Sequence, residues 1–404
     1  MLKINPTQLQ SDLDALNQFG HNAATGGMNR VAYNEADMQA RRWFDAQMRE
    51  LGLTVRIDAA GNSIGTYAGS QNLPPIALGS HTDTVPEGGK YDGTLGVTAA
   101  LACVRALKEA NIRLQHPIEV INFTAEEATM GGGTFGSLAM AIGLPTGYAD
   151  KPAWDGRPVH AHLSAAGIDP AGTRAAKRAV GSVAAYFELH IEQGGNLIGE
   201  GKDIGIVEGI VGIRRYLLAF DGDANHAGTT PMHLRNDALV KAAPIIHAVR
   251  DLALKHGIVA TIGSMSVKPG ASNVIPGRVD VVAEMRSLKG SVLDAAERDL
   301  QSITESLGGS YARMSIKEEM ICDEQLQQAL VMACGELCLS RRYLPSGAGH
   351  DAMCMAAICP SVMLFVPSVG GISHSPKEFT SLEDCVNGAN VMLGALLHID
   401  AQLS

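Results

Sequence analysis

The sequence predicts an α/β protein of two domains. The larger has a mostly parallel sheet flanked by helices, and the smaller is an inserted α+β sandwich. Three observations carry this. The chain has 404 residues, past the about 250–300 at which single cores stop growing. Four short apolar runs, at 76–78, 117–123, 182–189 and 362–366, pass directly into polar loops that hold histidine or carboxylate. Buried parallel strands read this way, and their loops gather side chains at the carboxyl ends. Between 211 and 324 the pattern changes: 213–220 and 278–286 alternate like half-exposed strands, and two helical stretches accompany them. The division is therefore 1–210 with 325–404 for the larger domain and 211–324 for the insertion.

In chain order, Asn34 reads as the N-cap of a helix ending near Leu51-Gly52, with Glu35 and Asp37 in its first turn and Trp43, Phe44, Met48 and Leu51 on one face. A strand at 53–57 and a turn at Ala60-Gly61-Asn62 follow. Pro74-Pro75 introduces the strand Ile76-Ala77-Leu78, which runs into the glycine-rich loop 79–93. A helix from Val97 to Ala110 closes this unit, and the next strand, 117–123, leads into Thr124-Ala125-Glu126-Glu127. Residues 128–180, rich in Gly, Ala and Pro, mix short helices and loops. Strand 182–189 ends in His190-Ile191-Glu192-Gln193-Gly194. In the insertion, helices span 237–256 and 292–307; afterwards a helix covers 325–339, strand 362–366 leads to Ser373-His374-Ser375-Pro376, and a last helix covers 381–397.

Composition excludes several classes. A net charge of −10 with no basic stripe argues against nucleic acid and anionic membranes. No apolar run approaches the roughly 18 residues of a membrane span, and residues 1–13 lack the apolar core of a signal peptide. Seven cysteines without a Cys-x-x-Cys pair read as reduced thiols. A soluble cytoplasmic protein is expected. Cys334 and Cys338, one turn apart, read as packing; His160-x-His162 follows no apolar strand and is not counted as a metal pair.

The loops that follow strands carry His81, Asp83 and Asp92, then Glu126-Glu127, then His190, then His374. His-x-Asp suggests a metal ligand with its orienting carboxylate, here His81 with Asp83, the carboxylate fixing the imidazole tautomer. His81, His190, His374, Asp92 and Glu127 supply three imidazoles and two carboxylates, enough for two divalent ions if Asp92 bridges them. Mixed N/O ligation suits Zn, Mn, Co or Ni over Ca or Mg. Glu126 reads as the general base that takes a proton from water and passes it to a leaving nitrogen. Taken singly, His81-x-Asp83 reads first as a surface loop and Glu126-Glu127 as a solvated acidic pair; the repeated placement after strands reverses that in favour of the site.

These motifs resemble the dinuclear metallohydrolases of the aminoacylase and carboxypeptidase clan. Within it they resemble the branch that contains N-carbamoyl-L-amino-acid hydrolase, allantoate amidohydrolase and β-ureidopropionase. The carriers are Gly79-Ser80-His81-Thr82-Asp83-Thr84-Val85, Asp92-Gly93, Phe123-Thr124-Ala125-Glu126-Glu127 and His190-Ile191-Glu192-Gln193-Gly194. Ala224-Asn225-His226-Ala227-Gly228-Thr229-Thr230-Pro231-Met232, Gly347-Ala348-Gly349-His350-Asp351-Ala352 and Gly371-Ile372-Ser373-His374-Ser375-Pro376 complete them. The resemblance implies that His81 and His190 hold one ion, Glu127 and His374 the other, and Asp92 bridges. It implies that His226 stabilises the oxyanion in the partner subunit's site of a homodimer, that Asn273 and Arg286 grip a substrate carboxylate, and that Gln193 and His350 line the pocket. Without the family, Arg286 reads as a strand-end ion pair. The implied activity is metal-dependent hydrolysis of the C–N bond of an N-carbamoyl-L-amino acid or related ureido acid, releasing ammonia and carbon dioxide. Allantoate hydrolysis and an aminoacylase or dipeptidase activity are the alternatives; a non-catalytic binder has no use for Glu126. One departure stands out: where relatives carry an Arg-Phe pair shortly after the glutamates, this chain has Ala128-Thr129-Met130-Gly131-Gly132-Gly133.

Overall fold

Four strands run parallel through the first unit of the computed structural model, which describes residues 2–403. That unit takes in Met1–Gly209 and Cys322–Ser404; the second is Ile210–Ile321. The architecture is α/β, with a mostly parallel sheet in one unit and a separate antiparallel sheet in the other.

Local chemistry sets the elements. Asn5 caps the helix Pro6–Leu16 by accepting from the backbone N–H of Thr7 and Gln8, and Leu9, Leu13 and Leu16 bury one face of it. This helix was not expected from the sequence. Asn34 caps Glu35–Glu50 by accepting from Asp37 N–H, as its position suggested. Strands β1 (Thr54–Ile57) and β2 (Ser63–Tyr67) form an antiparallel pair. Strands β3 (Ile76–His81), β4 (Ile118–Phe123) and β5 (Ala185–Ile191) are buried along their whole length, and β6 (Ile204–Ile210) follows. The helix after β3 starts at Thr94 rather than Val97, because Gly93, at φ +63°, turns the chain directly into it.

The second unit is an antiparallel sheet of β7 (Gly212–Asp221), β8 (Val259–Lys268), β9 (Arg278–Ser287) and β10 (Gly309–Lys317), in the order β10-β7-β9-β8. Along β9 the alternate residues Val279, Val281, Ala283 and Met285 are buried. They share one core with Ile245 and Val249 of helix Ala238–His256 and Leu293 and Leu300 of helix Gly290–Ser306. Neither β8 nor β10 was expected. The unit ends with the two-residue β11 (Met320–Ile321).

The chain then adds β12 (Arg341–Ser346) and β13 (Ser361–Val366) to the first unit. Its sheet runs β1-β2-β4-β3-β5-β13-β6, with β12 beside β6. The parallel block is β4-β3-β5-β13, and antiparallel neighbours flank it at β2 and β6. In register, His81 stands opposite Phe123 and His190 opposite Phe365. The loops after these four strands therefore leave the same edge of the sheet, the place where α/β sheets build sites.

Two buried arginines hold that edge. Arg30 donates to the carbonyls of Thr82, Leu16 and Phe19 and to Thr94 Oγ1. Arg41 donates to the carbonyls of Phe123, Asn122 and Gly61. Each guanidinium thus spends its donors on backbone carbonyls at the ends of a helix or strand and in the adjoining turns, where burial makes an unpaired polar group costly.

Candidate metal centre

Five side chains meet at the carboxyl ends of β3, β4, β5 and β13. His81 Nε2 and His190 Nε2 lie 3.6 and 3.2 Å from Asp92 Oδ1. His374 Nε2 lies 3.4 Å from both Asp92 Oδ2 and Glu127 Oε1. Two ligand groups result, His81–Asp92–His190 and Asp92–Glu127–His374, each with ligand atoms within 4.8 Å of one another. Asp92 belongs to both and turns a different oxygen to each.

The local backbone explains the convergence. His81 closes β3, and the chain returns at Asp92 through Gly93, where an added Cβ would stand 2.4 Å from the His81 ring. Ala125, before the two glutamates, has φ +51°, and His374 has φ +52°. Such left-handed positions in non-glycine residues persist only when the surroundings over-determine them. Around Ala125 they do: Phe135 N–H donates to its carbonyl at 3.0 Å, and Asp83 Oδ1 and Oδ2 accept from Glu126 N–H and Glu127 N–H, both at 3.1 Å.

Asp83 therefore departs from the expectation that its carboxylate fixes the tautomer of His81. Its backbone carbonyl does so instead, 3.0 Å from His81 Nδ1, while its carboxylate stands 3.7 Å away and holds the glutamate loop. Asp83 lies past the end of β3, so its side chain turns towards the neighbouring loop after β4. His190 is oriented in the same manner, with Nδ1 3.0 Å from the Ile191 carbonyl. Both rings thus aim Nε2 at Asp92.

The donor set fits divalent ions. Ligands about 2.0–2.1 Å from a zinc-sized ion stand roughly 3.4 Å apart at tetrahedral angles, and the separations here run from 3.2 to 3.6 Å. Among the described residues, Asp83, Asp92, Glu126 and Glu127 make ion pairs only with histidines. The charge balance points the same way. Burial, then Asp351, Glu127, Asp83 and Asp92, pushes the Glu126 carboxyl well above the usual range; burial, then Asp92, does the same to Glu127. Burial opposes charge on His190, yet Asp92 lifts that imidazole to about 9. Excess negative charge around the shared carboxylate is what cations neutralise.

Glu126 belongs to neither ligand group; its Oε2 stands 3.6 Å from His81 Nε2, nearly buried at the rim. Gln193 donates through Nε2 to Asp92 Oδ2 at 2.6 Å. His350 is buried, its Nε2 2.9 Å from Ser346 Oγ and its ring edge-to-face with His190 at 4.5 Å between centroids. Both residues expected to line the pocket thus bear on the ligands themselves. His226, Asn273 and Arg286 lie in the second unit. There His226 pairs through its backbone with Val274, and the Asn273 carbonyl accepts from Ala227 N–H at 2.9 Å. Arg286, near the end of β9, pairs with Glu284 Oε1 at 2.6 Å. His162 pairs with Asp155 at 3.0 Å and joins neither ligand group.

Sequence reasoning missed Glu378. It accepts from the backbone N–H of Tyr91 and Asp92 at 2.8 and 3.1 Å and from Ser373 Oγ at 2.9 Å. A glutamate four positions past a histidine carries no distinguishing pattern.

Comparison with known proteins adds to this geometry. Residues 77–398 match the model of Peptidase family M20/M25/M40. The chain is 40% identical over 384 residues to an N-carbamoyl-L-amino acid amidohydrolase of Geobacillus stearothermophilus, covering 91% of this chain and 92% of that protein. It is 34% identical over 395 residues to an allantoate amidohydrolase of Bacillus subtilis strain 168, covering 95% of each. A crystal structure of an amidase of the hydantoinase/carbamoylase family from Burkholderia phymatum aligns with a TM-score of 0.89 at 32% identity, covering 100% of both chains. No helix among the described residues is long and apolar enough to cross a membrane.

Proposed function

The chain belongs to Peptidase family M20/M25/M40, a hydrolase family, and from that premise we propose that it is a metal-dependent amidohydrolase of N-carbamoyl-L-amino acids or related ureido acids. The observation that carries this is the pair of three-residue groups sharing Asp92 beside Glu126. The 40% identity to a carbamoyl amino acid amidohydrolase directs the substrate class. Allantoate is the second reading, supported by the 34% identity to an allantoate amidohydrolase.

His81 and His190 are assigned to one ion, Glu127 and His374 to the other, and Asp92 to both; Zn, Mn, Co and Ni suit these donors. Divalent ions held by these residues would supply Lewis acidity and would lower the pKa of bound water to about 7. Glu126 takes the proton of the attacking water and returns it to the leaving nitrogen. Its position above the usual carboxylate range suits a base working near neutral pH; cations on Asp92 and Glu127 offset part of that shift. Asp83 keeps both glutamates in place through their backbone. We assign His226 to the developing oxyanion and Asn273 and Arg286 to the substrate carboxylate, for which a guanidinium offers two parallel bonds. Ammonia, carbon dioxide and an amino acid are the products.

The test is a panel of N-carbamoyl, N-acyl and ureido acids assayed after chelation and after return of Mn, Co, Ni or Zn. Ammonia release from the carbamoyl acids should vanish on chelation and return with metal. Turnover confined to N-acetyl substrates would overturn the substrate class; full turnover in metal-free protein would overturn the metal assignment.

We further propose a homodimer formed through the second unit. Strand β8 is the outer strand of its sheet, ten residues long and largely exposed. Leu239, Val240, Ile246 and Leu254 of the helix Ala238–His256 and Val259 of β8 are exposed as well. A long unprotected edge beside apolar side chains invites pairing, and a second copy offers the same edge. Analytical ultracentrifugation should give twice the chain mass; a monomer at micromolar concentration would remove the dimer. A cytoplasmic location accords with a sequence of seven cysteines that holds no Cys-x-x-Cys pair.

A further inference from the structure

We propose that Glu378, acting through Ser373, is a positioning residue that ties the loop of the shared carboxylate Asp92 to the loop of His374. The inference rests on the two-ion reading and adds to it a residue outside both ligand groups.

The problem it solves is visible in the ligands. His374 is the most exposed of the five, with 49% of its side chain accessible, and it lies at φ +52°. Its partner ligand Asp92 arrives from a loop far away in the chain. Bringing both ligands to one site requires the two loops to be held in register.

Glu378 spans them. Oε1 accepts from Tyr91 N–H at 2.8 Å and Asp92 N–H at 3.1 Å, which fixes the backbone that carries the shared carboxylate. Oε2 accepts from Ser373 Oγ at 2.9 Å, the residue before His374. Ser373 Oγ also stands 2.8 Å from Asp92 Oδ2. Glu378 is 3% exposed, so these bonds form where water does not compete, and hydrogen bonds to an ionised acceptor are among the stronger kind. The neighbouring backbone is shaped for this approach: a Cβ on Gly89 would stand 2.0 Å from the Glu378 carboxyl carbon.

The hydroxyl adds a coupling. Ser373 has one proton to donate and two carboxylates within reach, so it serves Asp92 or Glu378 at a given moment. A cation on Asp92 supplies the positive charge that the hydroxyl would supply, which leaves that proton for Glu378. Loading the site and fastening the His374 loop therefore reinforce each other. Groups that orient metal ligands in this manner are worth about 10- to 100-fold in metal affinity.

Three variants test this by competition of Zn or Mn against a chromogenic chelator, with the melting temperature of the metal-free protein measured alongside. Glu378→Ala removes both ties. Ser373→Ala cuts the tie between Glu378 and the His374 loop, together with the hydroxyl's contact to Asp92, and leaves the backbone bonds of Glu378 in place. Glu378→Gln keeps an acceptor for the two backbone N–H groups. The expected result is metal binding weakened about 10- to 100-fold in Glu378→Ala, less in Ser373→Ala, and partly recovered in Glu378→Gln, with the metal-free melting temperature of Ser373→Ala unchanged. Wild-type affinity in Ser373→Ala overturns the proposal even if Glu378→Ala fails to fold. A weakening in Ser373→Ala matched by a lower metal-free melting temperature also overturns it, since that is a general structural loss. Should the wild-type protein itself bind no metal, the two-ion reading falls and not merely the role of Glu378.

Discussion

Glu126→Gln should lower kcat by about 10²–10⁴ while the metal content stays at the wild-type level. The structure makes this substitution clean. The amide keeps the size and shape of the acid, and the bond that fixes the residue runs from its backbone N–H to Asp83 Oδ1 at 3.1 Å, untouched by the change. Glu126 stands outside both ligand groups, whereas the adjacent Glu127 stands inside one. The neighbouring carboxylates Asp351, Glu127, Asp83 and Asp92, together with burial, raise its affinity for a proton, and an amide cannot take one. Metal analysis of the purified variant is the decisive companion to the rate. A variant that comes out short of metal would show that Glu126 is a ligand and that its role has been exchanged with that of Glu127.

Arg286→Ala should reduce kcat/KM by roughly 30- to 5,000-fold. The range follows from the about 2–5 kcal/mol lost when one half of a desolvated charge pair is removed. Stability should change little. Arg286 pairs with Glu284, but Glu284 is also held by Arg215 at 2.5 Å and keeps a cationic partner in the variant. Exposed and half-exposed pairs of this kind contribute about 0–1 kcal/mol. The effect should therefore appear in kinetics and not in the melting temperature. The reverse pattern, a lower melting temperature with near-normal kcat/KM, would make Arg286 a strand-end ion pair and nothing more.

The parts of the protein that could be read from sequence share a physical cause. Strands β3, β4, β5 and β13 are buried along their whole length, so their residues are mostly apolar, with polar side chains such as Glu119, Asn122 and Glu188 in the minority, and each run gives way to a loop after His81, Phe123, Ile191 and Val366. That contrast marks both the strand and the loop that follows it. The cap at Asn34 was legible for the same local reason; Asp237, Asp323 and Ser381, which were not read as caps, also accept from a backbone N–H in the first turn of their helices. Strands β8 and β10 escaped because their alternation is broken. Pairing slips between Ile262 and Ser264 in β8 and between Arg313 and Ser315 in β10, and a slip of this kind moves the apolar positions to the other phase. Helix Pro6–Leu16 did carry a signal, leucines at 9, 13 and 16 behind an Asn-Pro start, that was passed over among polar residues.

The candidate site was legible in its ligands and opaque in what supports them. Imidazoles and carboxylates after apolar runs announce themselves by residue type. The engagement of Gln193 with Asp92, the seating of His350 on His190 and the clamp of Asp83 on two backbone amides depend on which loops lie side by side, and that depends on strand order. Strand order is set by long-range pairing, which a local pattern does not encode.

The adjacency of β5 and β13 has a consequence for how the protein comes into being. These strands lie side by side in parallel register, yet the whole second unit is synthesised between them. On the ribosome, β5 emerges early with His190 at its tip and no neighbour on the side that β13 will occupy. His374 emerges only near the end of translation. The nascent chain thus carries an open, largely apolar strand edge from the completion of β5 at Ile191 until β13 begins at Ser361, the condition under which chains associate wrongly. Pairing over so long a separation is also intrinsically slow. Only the first of the two ligand groups, His81–Asp92–His190, has all its members before the insertion is made; the second must wait for the final segment. The two candidate ligand groups are therefore completed at different times during synthesis, the first well before the second.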